Sequence, residues 1–255
     1  MFSKEQLDFF SEQGYLIAPS FESSDRCDQM LAELEIAISE DKIMFPNFYD
    51  SGMVHNCFLR GRMMLEHLSR KNLRNATDSL LCQNAIIYAY QSSSLGPRQG
   101  NYGSRIHVDC PRFIPGYRTN LGYVLALTPF TEKNGGTWVL PGSHLSGTIP
   151  TENKFHSSAI QLTCKKGDGI FFDARLVHRA GENSTDRWRH AITINFCRPF
   201  MRSRFDFPKL LSESSLKESF DPSTRKFLGF DVRMPASLEE FYRPVSERLY
   251  LPNQE

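Results

Sequence analysis

Between Ala85 and Cys197 short apolar runs recur, each too short for an ordinary helix and each bounded by Gly, Pro, Ser or Asn. Strands are predicted at Ala85–Tyr90, Ile106–Cys110, Leu121–Leu127, Thr137–Leu140, Gly169–Phe172 and His190–Cys197. Leu121–Leu127 is apolar on both parities, as a strand covered on both faces requires. His190–Cys197 alternates Ile192, Ile194 and Phe196 against Ala191, Thr193 and Asn195. Gln91–Gly103, rich in Ser, Gly and Pro, is expected to be a loop. Many short strands separated by turn signals, preceded by helices, predict a mainly β chain with flanking helices, a sandwich or jelly roll.

The helices lie first. Ser3 and Gln6 form a capping box, Leu7, Phe9 and Phe10 give the helix an apolar side, and Gly14 is placed to end it. Tyr15–Ala18 reads as a short strand. Ser24-Asp25 is expected to cap a second helix, where Cys27, Met30, Leu31, Leu34, Ala37 and Ile38 recur at helical spacing. Met63–Leu68 is also helical in pattern. Residues 42–60, with Phe45, Phe48, Tyr49 and Phe58 among Pro and Gly, suit either a lid over a pocket or a loop packed on the sheet. One domain over 1–255 is expected: a helical part to about residue 80, a β core to about 204, and a tail from 205 wrapping it. The 40% hydrophobic and 23% charged content is that of a folded globular chain, which excludes disorder. No run is long and apolar enough to span a membrane, and the charged N-terminus points to the cytoplasm. The six cysteines stand singly, so no C-x-x-C metal or redox motif exists and reduced thiols are expected.

Net charge is +1, but residues 98–204 carry 15 Lys+Arg against 7 Asp+Glu. Most of that excess is arginine, the side chain for two-pronged recognition of carboxylate or phosphate. A solvated basic face and an anion-binding cavity both fit. Dispersed arginines without a recognition motif argue against nucleic acid.

His107-Val108-Asp109 is the motif with chemistry in it. In extended chain, residues i and i+2 share a face, so an imidazole and a carboxylate stand side by side. A third ligand would complete a 2-His-1-carboxylate set, which leaves the far side of the metal open and suits non-haem Fe(II) oxygenases. His178, at a turn beyond Ile170-Phe171-Phe172, is the best candidate. His55, His67, His144 and His156 have no obvious partners and are expected to be surface or packing residues. Arg189, eleven residues beyond His178, enters a predicted strand, where a buried guanidinium needs an anion. Arg187 is its rival on the same face.

The sequence resembles the phytanoyl-CoA dioxygenase family of Fe(II)/2-oxoglutarate-dependent oxygenases. The resemblance is carried by SKEQLDFFSEQGYLIAPSF at residues 3–21, HVD at 107–109, NGGTWVLPGSH at 134–144 and GDGIFFDARLVHRAGENSTDRWRHAITINF at 167–196. It implies a double-stranded β-helix, the cupin-like jelly roll. It implies that His107, Asp109 and His178 bind iron, that Arg189 bridges to 2-oxoglutarate with Thr137 donating to the same carboxylate, and that Gly142, Ser143 and His144 are turn residues. O2 is the second cosubstrate, and succinate and CO2 are released. Halogenases of this kind carry a small residue at the carboxylate position, so Asp109 implies oxygenation or desaturation. Hydroxylation of an unactivated C–H in natural-product biosynthesis is expected. Desaturation, epoxidation, ring formation or action on an acyl-CoA would use the same residues.

The basic segment points to an anionic substrate, and Phe45, Phe48 and Tyr49 suit a modest, partly apolar molecule. Two other classes stand beside this one. A redox-inert metal hydrolase would have no need of Arg189, and a silent jelly-roll binding module would not need all four polar residues intact.

Overall fold

The computed structural model describes residues 2–47, 52–232 and 234–248. The chain opens with α1 (Lys4–Gln13), β1 (Tyr15–Ala18) and α2 (Ser24–Met44). Ser3 and Gln6 make the reciprocal capping box. The cap of α2 is Ser23, one residue before the expected pair, its hydroxyl accepting from the Arg26 amide. Then come α3 (Arg62–Glu66), α4 (Lys71–Leu80), β2 (Ile86–Leu95), β3 (Asn120–Ala126), β4 (Trp138–Val139), α5 (Glu152–Ser158), β5 (Ile160–Gln161), β6 (Gly169–Asp173), β7 (His178–Arg179) and β8 (Arg189–Cys197). The tail carries α6 (Phe207–Leu210), α7 (Pro222–Phe227) and α8 (Leu238–Phe241).

Two antiparallel sheets result, one ordered β1-β6-β3-β8-β2 and the other β5-β4-β7. The larger sheet is covered on both sides. Tyr90, Tyr123, Phe171, Ile194 and Phe196 pack against Phe10, Met30 and Leu34 of the helices and Phe227 of the tail. The opposite parity, including Ala126, Ile170, Phe172 and Ala191, packs with Phe130, Val139, Leu162 and Leu176 between the sheets. Alternation along each strand thus separates a helix-facing core from the sandwich interior.

Several expectations need correction. Gln91–Leu95, the first part of the expected loop, is strand, because β2 pairs with β8 from Ile86 as far as Leu95↔Arg189. The serines belong there because Ser92 donates to the Gly52 carbonyl and Ser94 bonds His190 Nδ1, so neither buried hydroxyl is unpaired. Ile106–Cys110 is not a strand; only His107 forms a bridge, to His178. α4 has no counterpart among the expected helices, although Leu73, Ala76, Thr77 and Leu80 form its buried face. Of the aromatic segment, Phe58 is core, edge-on to Phe207, and Phe45 is exposed; Phe48 and Tyr49 lie outside the described residues. His67 is fully buried and does have partners, Glu22 and Tyr123. The six cysteines are all free and buried.

Candidate metal centre

His107 and His178 face each other across an antiparallel bridge, each amide donating to the other's carbonyl at 3.0 and 2.9 Å. His178 is held there from behind. Val139 of β4 is its other neighbour, and the amide of Val177 donates to Ser143 Oγ. The Pro-Gly-Ser-His turn therefore fixes the strand that carries the histidine. The segment after His107 is fixed by Arg175, whose guanidinium donates to the carbonyls of Pro111 and Ser146 at 3.0 and 2.8 Å. The Cys110 amide donates to the Ala174 carbonyl. Arg175 carries no mark in the sequence beyond membership of the basic segment.

The side chains of His107, Asp109 and His178 bring one ligand atom each to within 4.8 Å of one another, the one such group among the described residues. Asp109 Oδ1 lies 3.5 Å from His107 Nε2 and 3.8 Å from His178 Nε2. Both imidazoles are oriented by backbone: His107 Nδ1 lies 2.7 Å from the Arg105 carbonyl and His178 Nδ1 lies 2.9 Å from the Leu176 carbonyl. A carbonyl can only accept, so each Nδ1 carries a proton, and each ring is turned so that its Nε2 faces Asp109. Asn195 donates to the other carboxylate oxygen, Oδ2, at 3.3 Å. Burial works against charge on Asp109, yet the two histidines and Asn195 outweigh it and hold the carboxyl below its ordinary value. His178 is pushed down by burial and by His107. His107 is raised, its hydrogen bond to Asp109 overriding burial.

Phe172 lies against the His178 ring with centroids 4.9 Å apart. It can do so because its partner across the ladder is Gly122; a Cβ there would sit 2.2 Å from the Phe172 ring. The same row continues through Asn195 and Ala89. These residues, with Asp109, Thr193, Gln91, Tyr88 and Arg204, line one cavity.

Arg189 is 1% exposed and Arg187 is exposed, so of the two rivals only Arg189 is interior. It donates to the carbonyls of Ser93 and Gly135 and lies over the Phe130 ring, while its Nε has no partner among the described residues. Among the described residues no carboxylate pairs with it, and burial lowers it to about 10. Gly135 reaches it with φ +92°, and a Cβ there would lie 2.3 Å from Leu95. Thr137 follows two residues later, its carbonyl accepting from Leu162. Two imidazole nitrogens and a carboxylate oxygen fit a divalent metal of the non-haem iron kind. The orphaned, buried guanidinium fits a carboxylate.

A family model described as phytanoyl-CoA dioxygenase (PhyH) matches residues 10–191. An uncharacterized Mycobacterium tuberculosis protein is 32% identical over 60% of this chain and 56% of its own length. Dioxygenase ALT11 of Alternaria alternata is 27% identical over 66% of this chain and 59% of its own. The chain thus spans somewhat over half the length of these relatives. Among solved structures, AviO1 from Streptomyces viridochromogenes is similar at a TM-score of 0.63 and 20% identity, over 78% of this chain and 96% of that one. SnoN, a non-haem α-ketoglutarate-dependent epimerase from nogalamycin biosynthesis, is similar at 0.60 and 19%, over 76% and 81%. The fold is therefore that of the jelly-roll enzymes.

Proposed function

The chain belongs to the phytanoyl-CoA dioxygenase family, and from that premise we propose that it is an Fe(II)/2-oxoglutarate-dependent hydroxylase of a small metabolite in natural-product biosynthesis. In this reading His107, Asp109 and His178 hold iron, and Arg189 with Thr137 holds the far carboxylate of 2-oxoglutarate. Together with O2, iron and 2-oxoglutarate supply an oxidant able to take hydrogen from an unactivated C–H, with release of succinate and CO2. The chain's own residues bind and orient. The Arg105 and Leu176 carbonyls orient both imidazoles so that each Nε2 faces Asp109, and Asn195 donates to the carboxylate from its other oxygen. Phe172 supplies an apolar wall to the cavity and packs on the His178 ring. A carboxylate at position 109, where a small residue would leave room for a halide, supports oxygenation. A biosynthetic role is supported by the likeness to SnoN, itself an enzyme of nogalamycin biosynthesis. Desaturation, epoxidation or ring formation would differ in substrate pose and not in these residues.

The observation that carries the proposal is the presence of this three-ligand cluster together with a buried arginine that has no carboxylate partner among the described residues. The test is anaerobic addition of Fe(II) and then 2-oxoglutarate to metal-free protein. A visible metal-to-ligand charge-transfer band should appear in wild type and be lost in His107→Ala and Asp109→Ala. Its absence from folded, metal-binding wild type would overturn the proposal.

A further inference from the structure

The arginines of the basic segment have different fates. Arg98 and Arg118 pair with Asp186 and Asp173. Arg175 and Arg189 donate to carbonyls, and Arg198 donates to the Arg118 carbonyl while lying over the Tyr117 ring. Arg204 is different. It lines the same cavity as Asp109 and Asn195, and among the described residues no carboxylate lies within ion-pair distance of it.

It is also held in place. β2 bulges at Tyr88, the register stepping from Ile87 to Ala89 against β8. The carbonyl freed by the bulge accepts from the Arg204 amide at 2.9 Å. The Arg204 guanidinium lies over the Tyr88 ring, 5.3 Å from its centroid, and Nη1 donates to Gln91 Oε1 at 2.8 Å. One edge of the fork is thereby tied to Gln91, leaving the Nε and Nη2 donors without partners among the described residues. Bulges beside active sites re-aim side chains, and this one turns an arginine onto the cavity wall. Gln91 is itself held by β8, its carbonyl accepting from the Thr193 hydroxyl.

We propose that Arg204, oriented by Tyr88 and Gln91, is the substrate's anion anchor: it takes a carboxylate or phosphate of the molecule to be oxidised, while Arg189 takes 2-oxoglutarate. The proposal rests on the functional reading above and names the substrate class of that site. The planar guanidinium with two free donors matches an oxyanion in two-pronged fashion. The apolar body of the substrate then lies along Ala89, Gly122 and Phe172, toward Asp109.

The test uses C4–C12 alkyl carboxylates and alkyl phosphates against their methyl esters and parent alcohols, read by calorimetry on the intact protein with Mn(II) and 2-oxoglutarate. Wild type should prefer at least one acid over its neutral analogue, and Arg204→Met should lose that preference by about tenfold or more. Arg204→Glu should reverse it toward the matched alkylamine. If Arg204→Met binds the acids as wild type does, if wild type binds none of them, or if Arg204→Met weakens 2-oxoglutarate instead, the proposal is overturned. The charge-transfer band separates the two claims. Lost acid preference with the band retained supports the anchor, and a wild type without the band fails the functional reading while the acid comparison still decides Arg204.

Discussion

Arg189 donates to two carbonyls and its Nε has no partner among the described residues, so a charge stands in the interior with no countercharge among them. Replacing such a charge with an apolar chain of similar length is often neutral or stabilising. Arg189→Met should therefore lie within about 1 kcal/mol of wild type in ligand-free stability, since only two carbonyls lose a donor. In the presence of Mn(II), the rise in melting temperature that 2-oxoglutarate gives wild type should vanish in this variant. A ligand-free variant that unfolds several degrees lower would show that Arg189 is structural. Asn195 is a different kind of residue, holding Asp109 from the far side. Partners of this sort typically contribute ten- to hundredfold in metal affinity, so Asn195→Ala should weaken Mn(II) by about that factor in a competition titration. Unchanged affinity would remove Asn195 from the centre. Only the strand alternation through Ala191 and Thr193 marks Asn195 in the sequence, because its role depends on a segment 86 residues away.

At the level of elements, the centre depends on how β3, β6 and β7 fit. Phe172 of β6 crosses over Gly122 of β3 to reach His178 of β7. Gly122→Ala would put a methyl group into that ring. Overpacking of this kind costs about 1–3 kcal/mol, and here the displaced ring pushes on a proposed ligand. Urea unfolding should show the loss, with a parallel loss of Mn(II) affinity. Pairing the substitution with Phe172→Leu should recover much of both. Failure of the pair to recover would mean that the glycine serves β3 and not the centre. The extension of β2 through Gln91–Leu95 belongs to this scale as well. A run of Ser, Gly and Pro reads as loop until a partner strand and buried acceptors for the hydroxyls are supplied, and both come from distant chain.

For the molecule as a whole, the apolar joint between the helices and the large sheet holds a buried polar cluster. Glu22 is buried among Arg26, His67 and Arg70, and His67 bonds the Tyr123 hydroxyl of β3. Burial works against the Glu22 carboxylate, but hydrogen bonds from His67 and the Ser23 amide, with Arg70 alongside, outweigh it and hold it at about 2. Its folded value is below the unfolded one, so the stabilisation is present above about pH 4.5 and is lost as pH falls toward 2. The size is about 3 kcal/mol. His67 is pushed down by burial, so protonation below its ordinary range near 6.5 disfavours the folded state as well. Glu22→Gln should be clearly less stable than wild type at pH 7, and the gap should narrow below about pH 4.5 and close as pH approaches 2 in urea titrations. A gap that stays constant with pH would mean that Glu22 contributes by packing alone. Among the described residues no helix is long and apolar enough to cross a membrane.

What the sequence determined by itself was local or periodic. The capping box at Ser3, the two-sided apolar run of β3, the alternation of β8 and the His107-Val108-Asp109 spacing each lie within a few residues, so pattern and propensity suffice. The order of the motifs along the chain was likewise enough to suggest the family and its jelly roll. Tertiary structure decided everything that joins distant segments. It put His178 opposite His107, chose the interior Arg189 over the exposed Arg187, and made strand of Gln91–Leu95. It also gave His67 its partners and turned Arg204 onto the cavity through a bulge in β2. The physical reason is that burial and hydrogen-bond satisfaction are properties of a place in the folded molecule. A residue type fixes only what a side chain can donate or accept, and the packing of the two sheets fixes what it meets.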